Sequence, residues 1–314
     1  MKKLKKIIKK IITITTVVII AVVFVIGLYK TGVCRFDFLR DMYKKIDFQV
    51  NTNELNLPQD ALSFSVYDIK KEEYLFYEGD SQLPTVASLA KLFVIDYALE
   101  KVNPENIVKV NQEVLELVPS GSSLANLKAG EYTVKQLIAG MLVPSGNDAA
   151  YALAYYIAKN ELGTGYTTPQ YINYFMSKLS EYLIEKGYSK TNLYDNPSGA
   201  STQADTHLDD INSVALKLLN YDFVRECIGK SSFTIQTSQG EFTWKNTNKF
   251  LDENSPYYNA NVKGMKTGTM ASSYNIVVLY EKDGKEYLIT CLASLSDEGR
   301  YKAVQSAINN IIEK

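Results

Sequence analysis

Tyr274-Asn275-Ile276-Val277-Val278-Leu279-Tyr280 and Glu286-Tyr287-Leu288-Ile289-Thr290-Cys291-Leu292 read as two consecutive strands, with the hairpin signal Asp283-Gly284 between them. Two shorter alternating runs, Phe233–Gln236 and Glu241–Trp244, come before them. The C-terminal quarter therefore reads as an antiparallel meander, closed by a helix over Asp297–Ile312. At the other end, Ala61–Tyr67 alternates as a strand. The polar turn Lys70-Lys71-Glu72-Glu73 sends it back as Tyr74–Tyr77. Between these blocks the apolar period is helical. Ser88–Val102, Thr133–Leu142, Asp148–Lys159, Pro169–Lys186 and Thr206–Leu219 all carry it, and residues 103–225 read as mostly helix. The fold class is α+β: one antiparallel sheet drawing on both chain ends, flanked by helices, with an all-helical lobe inserted.

Three short motifs sit on this frame in a fixed order: Ser88-Leu89-Ala90-Lys91, Ser145-Gly146-Asn147 and Lys266-Thr267-Gly268. Ser88 lies at a predicted helix start, and Lys91, three residues on, shares its face. A lysine that takes the serine proton needs its pKa lowered from about 10.4 towards 7–8. That shift costs about 4 kcal/mol, so it requires burial and a second cation. Lys266 is the natural candidate. Ser145 sits in a loop between two helical patterns and can relay a proton, while the Asn147 amide can hold a substrate amide from both ends. Lys263–Thr269 reads as an edge strand, with close backbone approach at Gly268. Lys266, Thr267 and Thr269 can bind a carboxylate, and the Ser88 and Thr269 N–H groups can form an oxyanion hole. The set supplies a nucleophile, proton carriers and an anion clamp, the equipment for acyl transfer next to a carboxylate. Two decoys are set aside. Lys30-Thr31-Gly32 precedes the nucleophile, and Ser273-Tyr274-Asn275 lies in a strand interior.

The 314 residues suffice for one large domain or two small ones. Net charge is −1, although residues 1–10 hold six lysines and no acid, so the remainder is about −7. No basic patch points to nucleic acid. Ile11–Tyr29 is 19 residues without a charge, roughly 28 Å as a helix and close to the hydrocarbon thickness of a bilayer. The flanking lysines should stay inside the cell. The segment exceeds a usual signal-peptide core and lacks a small-x-small cleavage site. The expected organisation is a basic cytoplasmic tail at 1–10, a single-pass anchor at 11–29 and a spacer at 30–57, with a catalytic domain at 58–314 outside the cell. Three cysteines argue against a disulfide framework. His207 is the only histidine and reads as a helix-start residue, so neither a metal site nor a histidine triad is called for. No cofactor is implied.

The three motifs resemble those of the low-molecular-mass penicillin-binding proteins, the serine D-alanyl-D-alanine carboxypeptidases, within the β-lactamase/transpeptidase-like superfamily. The resemblance covers roughly residues 58–312. It includes Met141–Ala150, the loop Asn196-Pro197-Ser198-Gly199 and Asn246-Thr247-Asn248. It implies Ser88 as nucleophile, Lys91 as base and Ser145 as proton relay. Asn147 would hold substrate, and Lys266, Thr267, Gly268 and Thr269 would bind the terminal carboxylate. The substrate implied is a peptidoglycan pentapeptide, with β-lactam antibiotics as covalent inhibitors. Two departures stand out. Ser198 replaces the histidine common before Gly199, and Thr269 replaces an aromatic or histidine. A class A-like β-lactamase would use the same motifs plus a deacylating glutamate. Glu181 is near the expected spacing but reads as helix. A non-enzymatic β-lactam sensor would need an output domain, and only about ten residues remain inside. Transpeptidation depends on groove shape, on which the sequence is silent.

Overall fold

In the computed structural model, which describes residues 61–79, 83, 85–270 and 273–313, β1 (Ser63–Asp68) and β2 (Glu73–Glu78) form the first hairpin. Glu72, at φ 55°, makes its turn. A 3-10 turn over Ala87–Leu89 leads into α1 (Ala90–Lys101). There follow β3 (Ile107–Val110), a one-turn α2 (Gln112–Leu115), β4 (Gly130–Thr133) and α3 (Val134–Leu142). Then come α4 (Asn147–Leu162), α5 (Thr168–Glu185), α6 (Leu208–Leu218) and α7 (Asp222–Ile228). β5 (Ser232–Thr237) pairs with β6 (Gly240–Lys245), and a 3-10 turn occupies Lys249–Leu251. The chain ends with β7 (Val262–Met270), β8 (Ser273–Lys282), β9 (Lys285–Ser294), α8 (Asp297–Ala307) and a π-helical turn over Ile308–Ile312.

The main sheet is antiparallel, in the order β2-β1-β9-β8-β7. β1 and β9 pair directly, Val66 opposite Ile289, so the two chain ends do share one sheet. β7 lies at its edge, as the Gly-rich motif suggests. Strand period explains how this sheet supports two layers. Leu288 and Leu292 of β9 and Val277 and Leu279 of β8 join the main core with the helical lobe. Residues of the other parity, among them Ile276, Val278, Ile289 and Cys291, are buried on the opposite face, which α8 covers. Asn212 of α6 bonds across to Ser65 Oγ at 2.9 Å and Thr290 Oγ1 at 2.7 Å, fixing the lobe on the sheet.

α1 is the axis of the lobe. Ala90 to Ala98 are all buried, which explains why its pattern shows no polar stripe. The one carboxylate in that run, Asp96, is fully buried and accepts from Tyr182 and Tyr188, each at 2.9 Å. Lys217 lies 2.8 Å from its other oxygen. Such a charge is tolerable only because it is partnered, and the partners tie α1 to α5 and α6. The starts of α3 and α5 follow capping chemistry, with Thr133–Gln136 and Thr167–Gln170 forming capping boxes.

Two readings need amendment. The meander breaks, because β5–β6 is a separate two-stranded ladder and only β7–β9 continue into the main sheet. Trp244 explains the separation: its indole N–H donates to Ala125 O at 2.7 Å, drawing β6 onto the lobe. The inserted lobe also contains a second ladder, β3–β4, within the stretch read as mostly helical. The expected basic tail, anchor and spacer lie outside the described residues. Among the described residues no helix is long and apolar enough to cross a membrane.

Candidate active site

Ser88 sits within the 3-10 turn, two residues before α1 begins, and makes no side-chain cap to either helix. The turn is forced. Ala87 adopts φ 50°, uncommon for a residue with a Cβ, while Val86, Ala87 and Leu89 are buried on either side. Ser88 is thereby held half-exposed at the mouth of a buried segment. Lys91 is fully buried. Its Nζ lies 3.0 Å from Ser88 Oγ, 2.8 Å from Asn147 Oδ1 and 2.9 Å from the Ser198 carbonyl. Burial brings its pKa down to about 7, with the Asp148 charge pulling the other way.

The middle motif opens α4. Ser145 takes φ 63°, and Gly146 is the N-cap. A Cβ on Gly146 would lie 2.7 Å from Ala125 N, so only glycine admits this crossing. Asp148 fixes the same neighbour, accepting from Ala125 N at 2.8 Å, Leu127 N at 3.0 Å and Ala149 N at 3.0 Å. The Asn147 N–H donates to Ser123 O at 2.8 Å. Asn147 therefore points at Lys91 from a braced backbone.

The third motif lies along β7. Lys266 is buried, and its Nζ is 2.9 Å from Ser145 Oγ and 2.7 Å from Thr267 O. Burial, then the charges of Lys91 and Arg300, push its pKa well below the ordinary lysine value. Thr267 Oγ1 is 2.6 Å from Thr247 Oγ1. A Cβ at Gly268 would lie 3.3 Å from Leu89 N and 3.4 Å from Ser88 N, so the strand passes directly against the Ser88 turn. The structure thus brings all eight sequence-nominated residues into one neighbourhood. Ser88, Lys91, Ser145, Asn147, Lys266 and Thr267 are linked by hydrogen bonds or adjacency, and Gly268 and Thr269 complete the strand.

Sequence reasoning missed several participants. Arg300, buried in α8, donates through Nη1 to Gly268 O at 3.2 Å, Thr269 Oγ1 at 3.1 Å and Asn275 O at 2.8 Å. No motif marks it; it falls within a helix read only as closing the fold. The Ser198 carbonyl is invisible to any residue-type search, although its loop, Asn196-Pro197-Ser198-Gly199, carries part of the resemblance. Asn275 was set aside as part of a decoy. It is buried in β8, donating to Thr85 O at 3.2 Å and accepting from Ala293 N at 2.7 Å. It ties the approach to Ser88 to two strands. Asn275→Ala should cost about 2 kcal/mol, leaving the buried Ala293 N–H and the half-buried Thr85 carbonyl without this partner. It should also slow acylation of Ser88, both effects being read from urea unfolding and single-turnover rates. Unchanged values in both would remove Asn275 from this role.

Among the described residues no group of three or more His, Cys, Asp or Glu is placed to hold a metal ion. His207, as expected, starts a helix, its Nδ1 accepting from Asp209 N at 3.2 Å.

Residues 59–293 match the D-alanyl-D-alanine carboxypeptidase family of peptidases, S11. The chain belongs to that family. A D-alanyl-D-alanine carboxypeptidase of Streptomyces sp. strain K15 is 31% identical over 202 residues, which is 62% of this chain and 66% of that protein. The carboxypeptidase DacD of Salmonella typhimurium is 27% identical over 259 residues, 77% of this chain and 60% of its own. The chain thus spans less than two thirds of the length of these curated relatives. The solved Streptomyces K15 DD-transpeptidase shares the fold with a TM-score of 0.69 and 25% identity, over 83% of this chain and all of that one. Penicillin-binding protein D2 of Listeria monocytogenes, solved with ampicillin bound, shares the fold at 0.62 and 21% identity, over 82% of this chain and 99% of that one. The sheet and helices are those of the β-lactamase/transpeptidase-like fold.

Proposed function

We propose that this chain is a serine D-Ala-D-Ala carboxypeptidase. It removes the terminal D-Ala of peptidoglycan pentapeptides through an acyl-enzyme on Ser88, and β-lactams trap it at the same step. Ile11–Tyr29 anchors it in the cell membrane, with the catalytic domain outside. The observation that carries the reading is the Lys91 amine, buried with a pKa near 7 and 3.0 Å from Ser88 Oγ.

Hydrogen-bond inventory supports Lys91 as the base. A neutral amine has two N–H donors and one lone pair. Asn147 Oδ1 and Ser198 O can only accept, so they take both N–H groups. The lone pair is left for Ser88, the one partner with a proton to give. Ser88 Oγ attacks the penultimate D-Ala carbonyl as its proton passes to Lys91. The Ser88 and Thr269 N–H groups stabilise the oxyanion. Ser145 relays the proton from Lys91 to the amine of the leaving D-Ala, and the C–N bond breaks. Water then gives a proton to Lys91, adds to the acyl carbonyl and frees Ser88, which recovers its proton. Lys266, Thr267 and Thr269 hold the terminal carboxylate, with Arg300 behind them. An arriving carboxylate restores the charge that burial disfavours on Lys266. Glu181 lies on α5, paired with Lys178 at 2.8 Å, and argues against a lactamase-type deacylating carboxylate.

The test uses the full-length protein. With benzylpenicillin it should gain the mass of one intact penicillin, lasting minutes or longer, on the peptide containing Ser88. It should also release D-Ala from diacetyl-lysyl-D-Ala-D-Ala. Fast penicillin destruction without a lasting adduct would favour a β-lactamase. An adduct with no turnover of peptide, even with an amine acceptor, would favour a sensor. Transfer of the acyl group to that acceptor would favour transpeptidation.

A further inference from the structure

The anion clamp does not end at Thr267. Its hydroxyl lies 2.6 Å from that of Thr247, and Thr247 also lines a cavity of about 430 Å³ that no step of the mechanism uses. Lys245, Lys249, Asp252, Ser255 and Tyr257 form other walls of that cavity. The walls are fixed. Thr247 N donates to Val143 O at 3.1 Å, and Lys249 N donates to the hydroxyl of buried Tyr301 at 3.2 Å. Ser255 N donates to Asp252 O at 2.8 Å, and the Tyr257 ring stacks on Tyr301 with centroids 4.8 Å apart and planes at 20°. A cavity of this size falls in the range of small-molecule sites and far exceeds what a methyl group fills. Its surroundings carry excess positive charge. Lys245 is paired with Asp252 at 2.7 Å. Lys249 is paired with Asp297, but Asp297 also pairs with Arg300, the residue behind the clamp. Three cations (Lys245, Lys249 and Arg300) thus share two carboxylates, which leaves one positive charge over before Lys266 is counted. The Lys249 side chain is 49% exposed, so its ammonium is open to a ligand.

We propose that this cavity is the subsite for the side chain of the leaving D-residue, and that Lys249 makes it favour a side chain ending in a carboxylate, such as that of D-Glu. This rests on the carboxypeptidase reading. In that reading the Thr269 N–H binds the oxyanion of the scissile carbonyl, and the carboxylate of the leaving residue reaches on to Thr267. The step from Thr269 to Thr267 along β7 therefore runs from the acyl side to the leaving side, and the Thr267–Thr247 contact carries it on to the cavity. The side chain on the same carbon as that carboxylate is the part of the substrate placed to enter. The bonds are those of D-Ala release. The Ser88 Oγ–carbonyl bond forms, the C–N bond breaks, and the amine of the departing D-Glu takes the proton relayed through Ser145. Water then hydrolyses the acyl-enzyme.

The experiment uses diacetyl-L-lysyl-D-Ala peptides ending in D-Ala, D-Glu or D-Gln, the last matching D-Glu in shape without its charge. Full-length wild type, Lys249→Gln, Lys249→Arg and Ser255→Trp are assayed for release of the terminal residue. Wild type should release all three, with kcat/KM for D-Glu about two- to five-fold above that for D-Gln at low salt, the size of one exposed ion pair. The preference should shrink at ~1 M salt. Lys249→Gln should bring the ratio near one, and Lys249→Arg should retain it. Ser255→Trp, which fills the cavity, should lower release of D-Glu and D-Gln about tenfold relative to D-Ala. Formation of the penicillin adduct by each variant confirms its fold. Equal turnover of the D-Glu and D-Gln peptides by wild type, an unchanged ratio in Lys249→Gln, or release of D-Ala alone overturns the subsite and leaves the peptidase reading standing. Release of no terminal residue from any of the three overturns the peptidase reading, and the subsite with it.

Discussion

Replacing Lys91 with methionine should slow acylation of Ser88 by about 10²–10⁴-fold, the range expected when a positioned general base is lost. The substitution keeps the length and burial of the side chain and removes only the amine. Ser88 Oγ then loses its 3.0 Å partner, and among the described residues no other lysine nitrogen bonds it, Lys266 Nζ being engaged with Ser145 and Thr267. The pH profile sharpens the test. Wild-type acylation should rise through about pH 7, where the Lys91 ammonium gives up its proton. The Lys91→Met rate should show no such rise. A variant that acylates within a few-fold of wild type, or keeps the limb near 7, would move the base role to the Ser145–Lys266 pair.

The same lysine leaves a mark on stability. Its pKa is lowered on folding, so between about 7 and its ordinary value of 10.5 the unfolded chain holds a proton that the native state lacks. Stability therefore rises with pH across that window. The contribution is up to about 1.4 kcal/mol per pH unit. Lys266, also lowered, acts in the same direction. The difference between wild type and Lys91→Met isolates the Lys91 share, and the urea midpoint of wild type should fall relative to that of Lys91→Met as pH falls from 10.5 towards 7.

Much of this arrangement was legible because it is local. Ser88 and Lys91 are brought together by their spacing alone, the helices at Thr133–Leu142 and Pro169–Lys186 follow from their apolar period, and the β8–β9 hairpin follows from Asp283-Gly284. What escaped depends on long-range closure. The Ser198 carbonyl reaches Lys91 across 107 positions of sequence, and backbone atoms leave no signature in residue type. Arg300 is 32 residues from the Gly268 carbonyl it grips and lies on a helix whose pattern is dominated by burial. Asn275 looked like a spare motif because its value comes from Thr85 and Ala293, distant in sequence and adjacent only once β8 sits between its neighbours. The β3–β4 ladder was hidden because four-residue strands carry too little period to stand out among helices.

Gly199→Ala should lower the melting temperature by about 5–10 °C, from a destabilisation of about 2–3 kcal/mol, and cut acylation by about 10²-fold. Gly199 adopts φ +78°, and a Cβ there would stand 2.0 Å from Ala87 O and 2.6 Å from Ala90 Cβ. Neither neighbour can yield cheaply. Ala87 already holds φ 50° to present Ser88, and Ala90 opens the buried helix that carries Lys91. Either the 196–200 loop retreats and takes the Ser198 carbonyl off Lys91, or the nucleophile's turn shifts against Gly268. Both displace a reacting group by an ångström or more. Gly163→Ala separates this collision from simple backbone strain. Gly163 has the same φ of +78° with nothing within 4 Å of its would-be Cβ. It should cost only about 1 kcal/mol and leave acylation unaltered. Equal effects from the two substitutions would mean that conformational strain alone, not the packing of the Ser198 loop against the Ser88 turn, sets the cost at Gly199.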